Sequence, residues 1–257
     1  TAYEIYQCDW SSDVCSSDPR VSSQCFKRAI RLNAGEMGYI PTENQGVRTK
    51  KLKGLLDEQL RVLGHSEANA QIEVALAAAG LKLKDDGKTE YLLFLGTGEV
   101  SALAKIIHDH WDELSTTTTA TEKKSKKDAK AAGPEGLGKA LKAILNGQKA
   151  VDVALFGRML ADMPEVNQDA ACQVAHALST HRVEREFDYF TAVDDKGEPD
   201  ETGAGMIGQI EFNSATFYRY AVVDANKLQS NLSGDRELAL TGIRAFVQAM
   251  ARAIPMR

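Results

Sequence analysis

The sequence predicts an α+β protein, and three observations carry that expectation. Helical apolar spacing dominates roughly the first 150 residues, as where Phe26 and Ile30 stand four apart on a basic segment. Runs rich in β-branched and aromatic residues cluster instead between Phe187 and Val223. A closing helical stretch from Asp235 to Ile254 follows them, so the chain combines helices with strands.

Taken in order, Thr1 to Asp18 holds Glu4, Asp9, Asp13 and Asp18 with no Lys or Arg, and shows neither a strand alternation nor a helical stripe. Asp9 to Asp18 resembles a translated sequencing adapter, so a cloning or assembly artefact is expected to stand in place of the genuine start. Ser22 or Ser23 is a natural N-cap for a helix that Asn33-Ala34-Gly35 should end. Met37 to Gln45 reads as a loop. Arg48 to Lys53 should open a second helix running towards Leu63-Gly64, and a third should lie between a Ser66 cap and Gly80. Tyr91 to Leu95 reads as a short apolar strand, followed by Gly96-Thr97-Gly98 and a helix from Ser101 to about Leu114. The Thr- and Lys-rich stretch from Ser115 to Gly138 buries little and should be a flexible loop. A helix is expected around Leu137 to Leu145, a partial alternation over Val151 to Gly157, and an Ala-rich helix from Asp169 to Thr180. Phe187 to Val193 reads as a strand, Asp194 to Gly205 as a long turn, and Ile207 to Phe212 and Ala215 to Val223 as returning strands.

Composition narrows the function classes. The chain has 257 residues, of which 43% are hydrophobic and 26% charged, enough for one or two domains with a sizeable core. Its 31 Lys and Arg against 36 Asp and Glu give a net charge of −5, which on totals alone argues against a nucleic-acid binder. No apolar run approaches the roughly 20 residues that span a bilayer, and no h-region follows a basic N-terminus. A cytoplasmic protein without membrane contact is therefore expected. Cys8, Cys15, Cys25 and Cys172 form no C-x-x-C pair, so neither a zinc ribbon nor a redox motif is indicated, and structural disulfides are not expected in a reducing compartment. Of His65, His108, His110, His176 and His181, only His108 and His110 are close, and positions two apart on a helix face different ways. No metal and no cofactor are expected.

Catalytic signals are missing. Asp194-Asp195 sits in a hydrophilic turn as solvated acids, and no G-x-S-x-G, H-E-x-x-H or Walker loop occurs. Gly96-Thr97-Gly98 between an apolar strand and a helix offers the alternative of a nucleotide-dependent enzyme. Ser101 stands where the third glycine of a dinucleotide loop belongs, and no βαβ unit surrounds it. The expected class is therefore non-enzymatic.

The positive signal is positional. Arg20, Lys27, Arg28, Arg31, Arg48, Lys50, Lys51 and Lys53 face only Glu36 and Glu43 between residues 20 and 53, a local surplus of six. A Ser-Ser-Gln helix start beside those cations offers hydroxyl, amide and N–H donors suited to a phosphodiester backbone. Arg20-Val21-Ser22-Ser23-Gln24-Cys25-Phe26-Lys27-Arg28-Ala29 resembles the R-V-S-S-Q-x-x-K-R-A signature of the CasC family, the backbone subunit of the type I-E CRISPR Cascade complex. Val151 to Met159, Ala175-His176-Ala177 with Thr180-His181, Asp188 to Asp195 and Phe217-Tyr218-Arg219-Tyr220 follow in that family's order and approximate spacing, and the resemblance reaches about Ile254.

That resemblance implies an RRM-like (ferredoxin-like) palm, a helical fingers insertion and a β-hairpin thumb, with the palm incomplete at both ends. Residues 1–18 would be non-native or disordered, 19–31 the first part of the palm, and 32–148 the fingers with a flexible loop at 115–138. Residues 149–185 would be palm, 186–209 thumb, and 210–257 truncated palm. Ser22, Gln24, Lys27 and Arg31 would grip the RNA backbone, joined by Arg20, Arg28, Arg48 and Lys51 of the basic run and by Arg158. Met159 would wedge against guide bases, and Tyr189, Phe190, Thr191 and Val193 would surround a flipped-out nucleotide. The implied partners are crRNA, target DNA through the guide, copies of the same chain in a helical filament, and other Cascade subunits. A related alternative is the backbone subunit of another CRISPR effector class, some of which cut target RNA with an acid in a palm loop.

Overall fold

The computed structural model describes residues 20–65, 68–84, 86–115, 136–145, 149–160, 163–184, 186–192, 206–212 and 214–255. Expectations for Thr1 to Asp18, for most of the loop 115–138 and for Asp194 to Gly205 lie outside them. Helices and small antiparallel sheets share the chain, which falls into two compact units. One comprises residues 1–28, 174–221 and 255–257, and the other 29–173 and 222–254.

In the first unit, β1 (Arg20–Val21), β5 (Ala177–Ser179) and β8 (Phe217–Tyr218) form a sheet in the order β1-β5-β8. Arg20 pairs with Leu178 and Leu178 with Tyr218, so these three stand in one row across the strands. Val21 pairs with Ala177, which is fully buried. Helix α1 (Ser23–Glu36) begins at Ser22, whose Oγ accepts the Gln24 N–H at 3.2 Å. This is the expected hydroxyl cap. Cys25 is disulfide-bonded, against the expectation that no structural disulfide forms. Strands β6 (Glu186–Ala192) and β7 (Met206–Phe212) pair along their whole length, from Glu186 opposite Phe212 to Ala192 opposite Met206.

The second unit is mainly helical. Helix α2 (Leu52–Val62) packs on α3 (Asn69–Ala78) and α4 (Thr97–Asp109), and α4 packs on α5 (Leu137–Ile144). Leu52, Leu56 and Leu60 of α2, Ile72 and Leu76 of α3, Leu103 and Ile107 of α4, and Leu141 of α5 form the core. Their i, i+3 and i+4 spacing places them on the inward faces. Before α2, Gly46–Thr49 form β2, antiparallel to β3 (Leu93–Gly96). The helix expected to open at Arg48 thus starts four residues later, because Val47, Arg48 and Thr49 complete a ladder with Leu95, Phe94 and Leu93. Helix α6 (Val151–Phe156) is buried from Val151 to Leu155, and α8 (Arg236–Arg252) packs on it and on α7 (Ala225–Asn231).

The Ala-rich helix expected between Asp169 and Thr180 does not form. Residues 172–174 are β4, paired with β9 (Ala221–Val223), and residues 177–179 are β5. Cys172 and Val174 are buried while Gln173 is exposed, a period of two that the alanines concealed.

Candidate nucleic-acid interface

The structure scatters the sequence-predicted contact residues over distinct local settings. In the first unit, Arg20, Gln24 and Arg28 are exposed and Lys27 is half-buried. Ser22 is only 8% exposed and its oxygen caps α1, so its first role is to hold the helix end. The Ser23 N–H donates to His176 Nδ1 at 3.0 Å, which ties the helix start to the segment between β4 and β5. Arg219 adds a cation that the sequence left unassigned, its Cζ 5.1 Å from the Phe26 ring centroid.

In the second unit, Arg31 and Arg48 converge on one aromatic ring. Their Cζ atoms lie 5.4 and 5.2 Å from the Phe94 centroid, although the three residues are far apart in sequence. Asp152 lies beside them, 3% exposed, with its Oδ1 accepting the Val153 N–H at 3.0 Å. Burial pushes its carboxyl up to about 6, against the pull of Arg31 and of backbone N–H groups including that of Gly46. Lys51 is exposed just before α2. Two guanidiniums oriented by a ring and one solvated ammonium suit phosphate oxygens better than base edges.

Arg158 is a correction. Its side chain is 1% exposed, and its guanidinium meets Glu99 at 3.0 Å. Nε donates to the Val166 carbonyl at 3.2 Å, Nη1 to the Phe94 carbonyl at 3.4 Å, and Nη2 to the Leu145 and Val166 carbonyls. No face of this cation reaches solvent, so it is a structural residue and not a contact for RNA. Its neighbour behaves oppositely: Met159 is 83% exposed. Gly157 makes this reversal possible with φ +77, where an added Cβ would lie 2.8 Å from the Ala170 nitrogen. The Arg158 N–H then donates to the Gln168 carbonyl at 2.8 Å, pinning the turn that presents Met159.

On the β6–β7 hairpin, Tyr189 is 68% exposed and Phe190 40%. Adjacent strand residues face opposite ways, so the two aromatics serve different faces. Phe190 pairs with Gly208 and covers it so closely that a Cβ there would lie 2.2 Å from the ring. Thr191 is exposed, and Val193 lies outside the described residues.

The Gly96-Thr97-Gly98 turn is occupied by the protein itself. Gly96 caps α4 and donates its N–H to Glu99 Oε2 at 2.7 Å. A buried carboxylate therefore stands where a nucleotide phosphate would approach the helix end, which argues against the nucleotide-loop alternative. Among the described residues, no group of three or more His, Cys, Asp or Glu side chains is placed to hold a metal, and no helix is long and apolar enough to cross a membrane.

Comparison with known proteins adds an independent finding. The model of the family described as CT1975-like protein matches residues 17–256. The chain is 30% identical, with a TM-score of 0.78 over 93% of its length, to a chain of the structure described as "CRISPR RNA-guided surveillance complex, pre-nicking". It is 26% identical, with a TM-score of 0.63 over 93% of its length, to a chain of a "CRISPR RNA-guided surveillance complex". It spans 64% and 63% of those two chains. No curated protein matches it.

Proposed function

The chain belongs to the CT1975-like protein family, and on that premise we propose that it is a non-catalytic, RNA-binding backbone subunit of a Cascade-type CRISPR surveillance complex, of the type I-E CasC kind. Copies of it would polymerise along a crRNA and present the guide for pairing with target DNA, alongside other Cascade subunits. The observation that carries this reading is the 0.78 TM-score to a surveillance-complex chain over nearly the whole chain. The division into palm (19–31, 149–185, 210–257), fingers (32–148) and thumb (186–209) belongs to the same proposal.

The local chemistry supports it. RNA whose bases are splayed is held by backbone cations plus stacking or wedging side chains, each base–aromatic stack being worth about 1–3 kcal/mol. Gln24, Arg28 and Arg48 supply exposed polar and cationic groups, while Met159 and Tyr189 supply exposed apolar ones. Such a grip reads no base, as a variable guide requires.

Filter binding of crRNA over a range of salt concentrations tests the proposal. Affinity should fall steeply with salt, and Lys27→Ala and Arg31→Ala should each reduce the slope by about one. Salt-insensitive binding that both substitutions leave unchanged would refute it.

A further inference from the structure

Two histidines 43 residues apart in sequence meet on the helical part of the second unit. His65 Nε2 and His108 Nδ1 are 2.7 Å apart. His65 follows the C-terminus of α2, where Gly64 has φ +96 and donates to the Arg61 carbonyl at 3.1 Å while the His65 N–H donates to the Leu60 carbonyl at 2.9 Å. That paired closure is the Schellman ending, and it fixes the His65 backbone to the helix. Trp111 fixes the ring, stacked on it with centroids 3.6 Å apart and planes 18° from parallel. His108 is carried by α4. His110 takes no part, because its Nδ1 is engaged with the Ile106 carbonyl at 3.1 Å.

We propose that His65 and His108 form a two-imidazole site for a late first-row divalent transition metal such as Cu²⁺ or Ni²⁺. Two neutral imidazoles that face nitrogen to nitrogen hold one proton between them; when a metal ion takes its place, that proton moves to the other nitrogen of the ring that carried it, and both rings bind as neutral ligands. Nitrogens bound to one ion at 2.0–2.1 Å each stand roughly 3 Å apart, so opening the pair by a few tenths of an ångström suffices. Imidazole nitrogen suits these metals, whereas Mg²⁺ prefers oxygen. Asp112, exposed on the same helical stretch as Trp111, supplies negative charge beside His65. Water or a partner's donor completes the coordination, since only two protein donors converge.

The indole stacked on His65 is a built-in reporter. In the full chain carrying Trp10→Phe, Trp111 fluorescence should be quenched saturably by CuCl₂ and NiCl₂, more tightly by copper, and not by MgCl₂. Both His65→Gln and His108→Gln should abolish the saturable phase, while His176→Gln should leave it intact. NiCl₂ should also raise the melting temperature of the parent, an increase lost in both variants. Absence of saturable quenching in the parent would overturn the proposal, as would quenching that survives both substitutions. None of these readouts involves RNA, so they stand or fall apart from the RNA-binding reading.

Discussion

Arg158 and Glu99 meet at 3.0 Å with side chains 1% and 2% exposed, and the same carboxylate accepts the Gly96 N–H at 2.7 Å. One acid thus closes the start of α4 and neutralises the cation that anchors the turn before Met159. Removing one partner leaves an uncompensated buried charge, which typically costs about 3–5 kcal/mol. Glu99→Ala should therefore lower stability by that order in denaturant unfolding. A loss below about 1 kcal/mol would show that the pair is not the anchor described.

Asp152 sets a pH dependence whose sign is fixed. Its folded value of about 6 exceeds the ordinary 3.8, so the folded state holds the proton more tightly than the unfolded chain. Its contribution is fully present below about pH 4 and is lost as pH rises through 6. At 1.36 kcal/mol per unit, the loss is about 3 kcal/mol. Asp152→Asn should flatten the stability profile between pH 4 and 7 and make the protein more stable than the parent at pH 8. Parallel profiles for the two proteins would contradict this.

Two glycines in helices should respond in opposite directions to alanine. A Cβ on Gly54 of α2 meets nothing within 4 Å, so Gly54→Ala should stabilise by about 0.5–1 kcal/mol through helix propensity. A Cβ on Gly138 of α5 would lie 2.4 Å from the Ala78 carbonyl oxygen, a backbone atom that cannot swing away. Gly138→Ala should destabilise by about 1–3 kcal/mol. Thermal melts of the two variants distinguish the cases, and a shift of the same sign in both would refute the packing of α5 on α3.

If the aromatics of the β6–β7 hairpin stack on bases while Arg48 meets phosphate, the two kinds of contact separate in salt titrations. Tyr189→Ala should weaken crRNA binding by about 1–3 kcal/mol at every salt concentration, leaving the slope unchanged. Arg48→Ala should weaken binding and reduce the slope by about one. The reverse pattern would exchange the roles assigned to these side chains.

Much of the secondary structure was legible because it rests on local rules. The Ser22 cap, the burial of Phe26 and Ile30, the paired strands around Phe187 and Phe212, and the closing helix follow from capping and periodicity. Residues 169–180 were misread because alanine satisfies helical and extended patterns alike, and pairing with distant residues 217–223 decided the outcome. Arg158 was misplaced for a related reason. It was assigned to RNA through the family resemblance, and its acceptors, at Phe94, Glu99, Leu145 and Val166, come from positions up to 64 residues away. The Arg31–Phe94–Arg48 cluster and the His65–His108 pair were hidden likewise, since no spacing rule links residues joined only by tertiary packing.

Phe94 gives the basic segment a property that neither arginine has alone. Because both guanidiniums share one ring, drawing one away towards a ligand changes how strongly the ring holds the other. Arg31 and Arg48 are thus energetically coupled, and their effects on any bound anion will not add. A double-mutant cycle across the two would measure that coupling, and replacing Phe94 by leucine should remove the ring-mediated part and leave only the direct repulsion between the two charges.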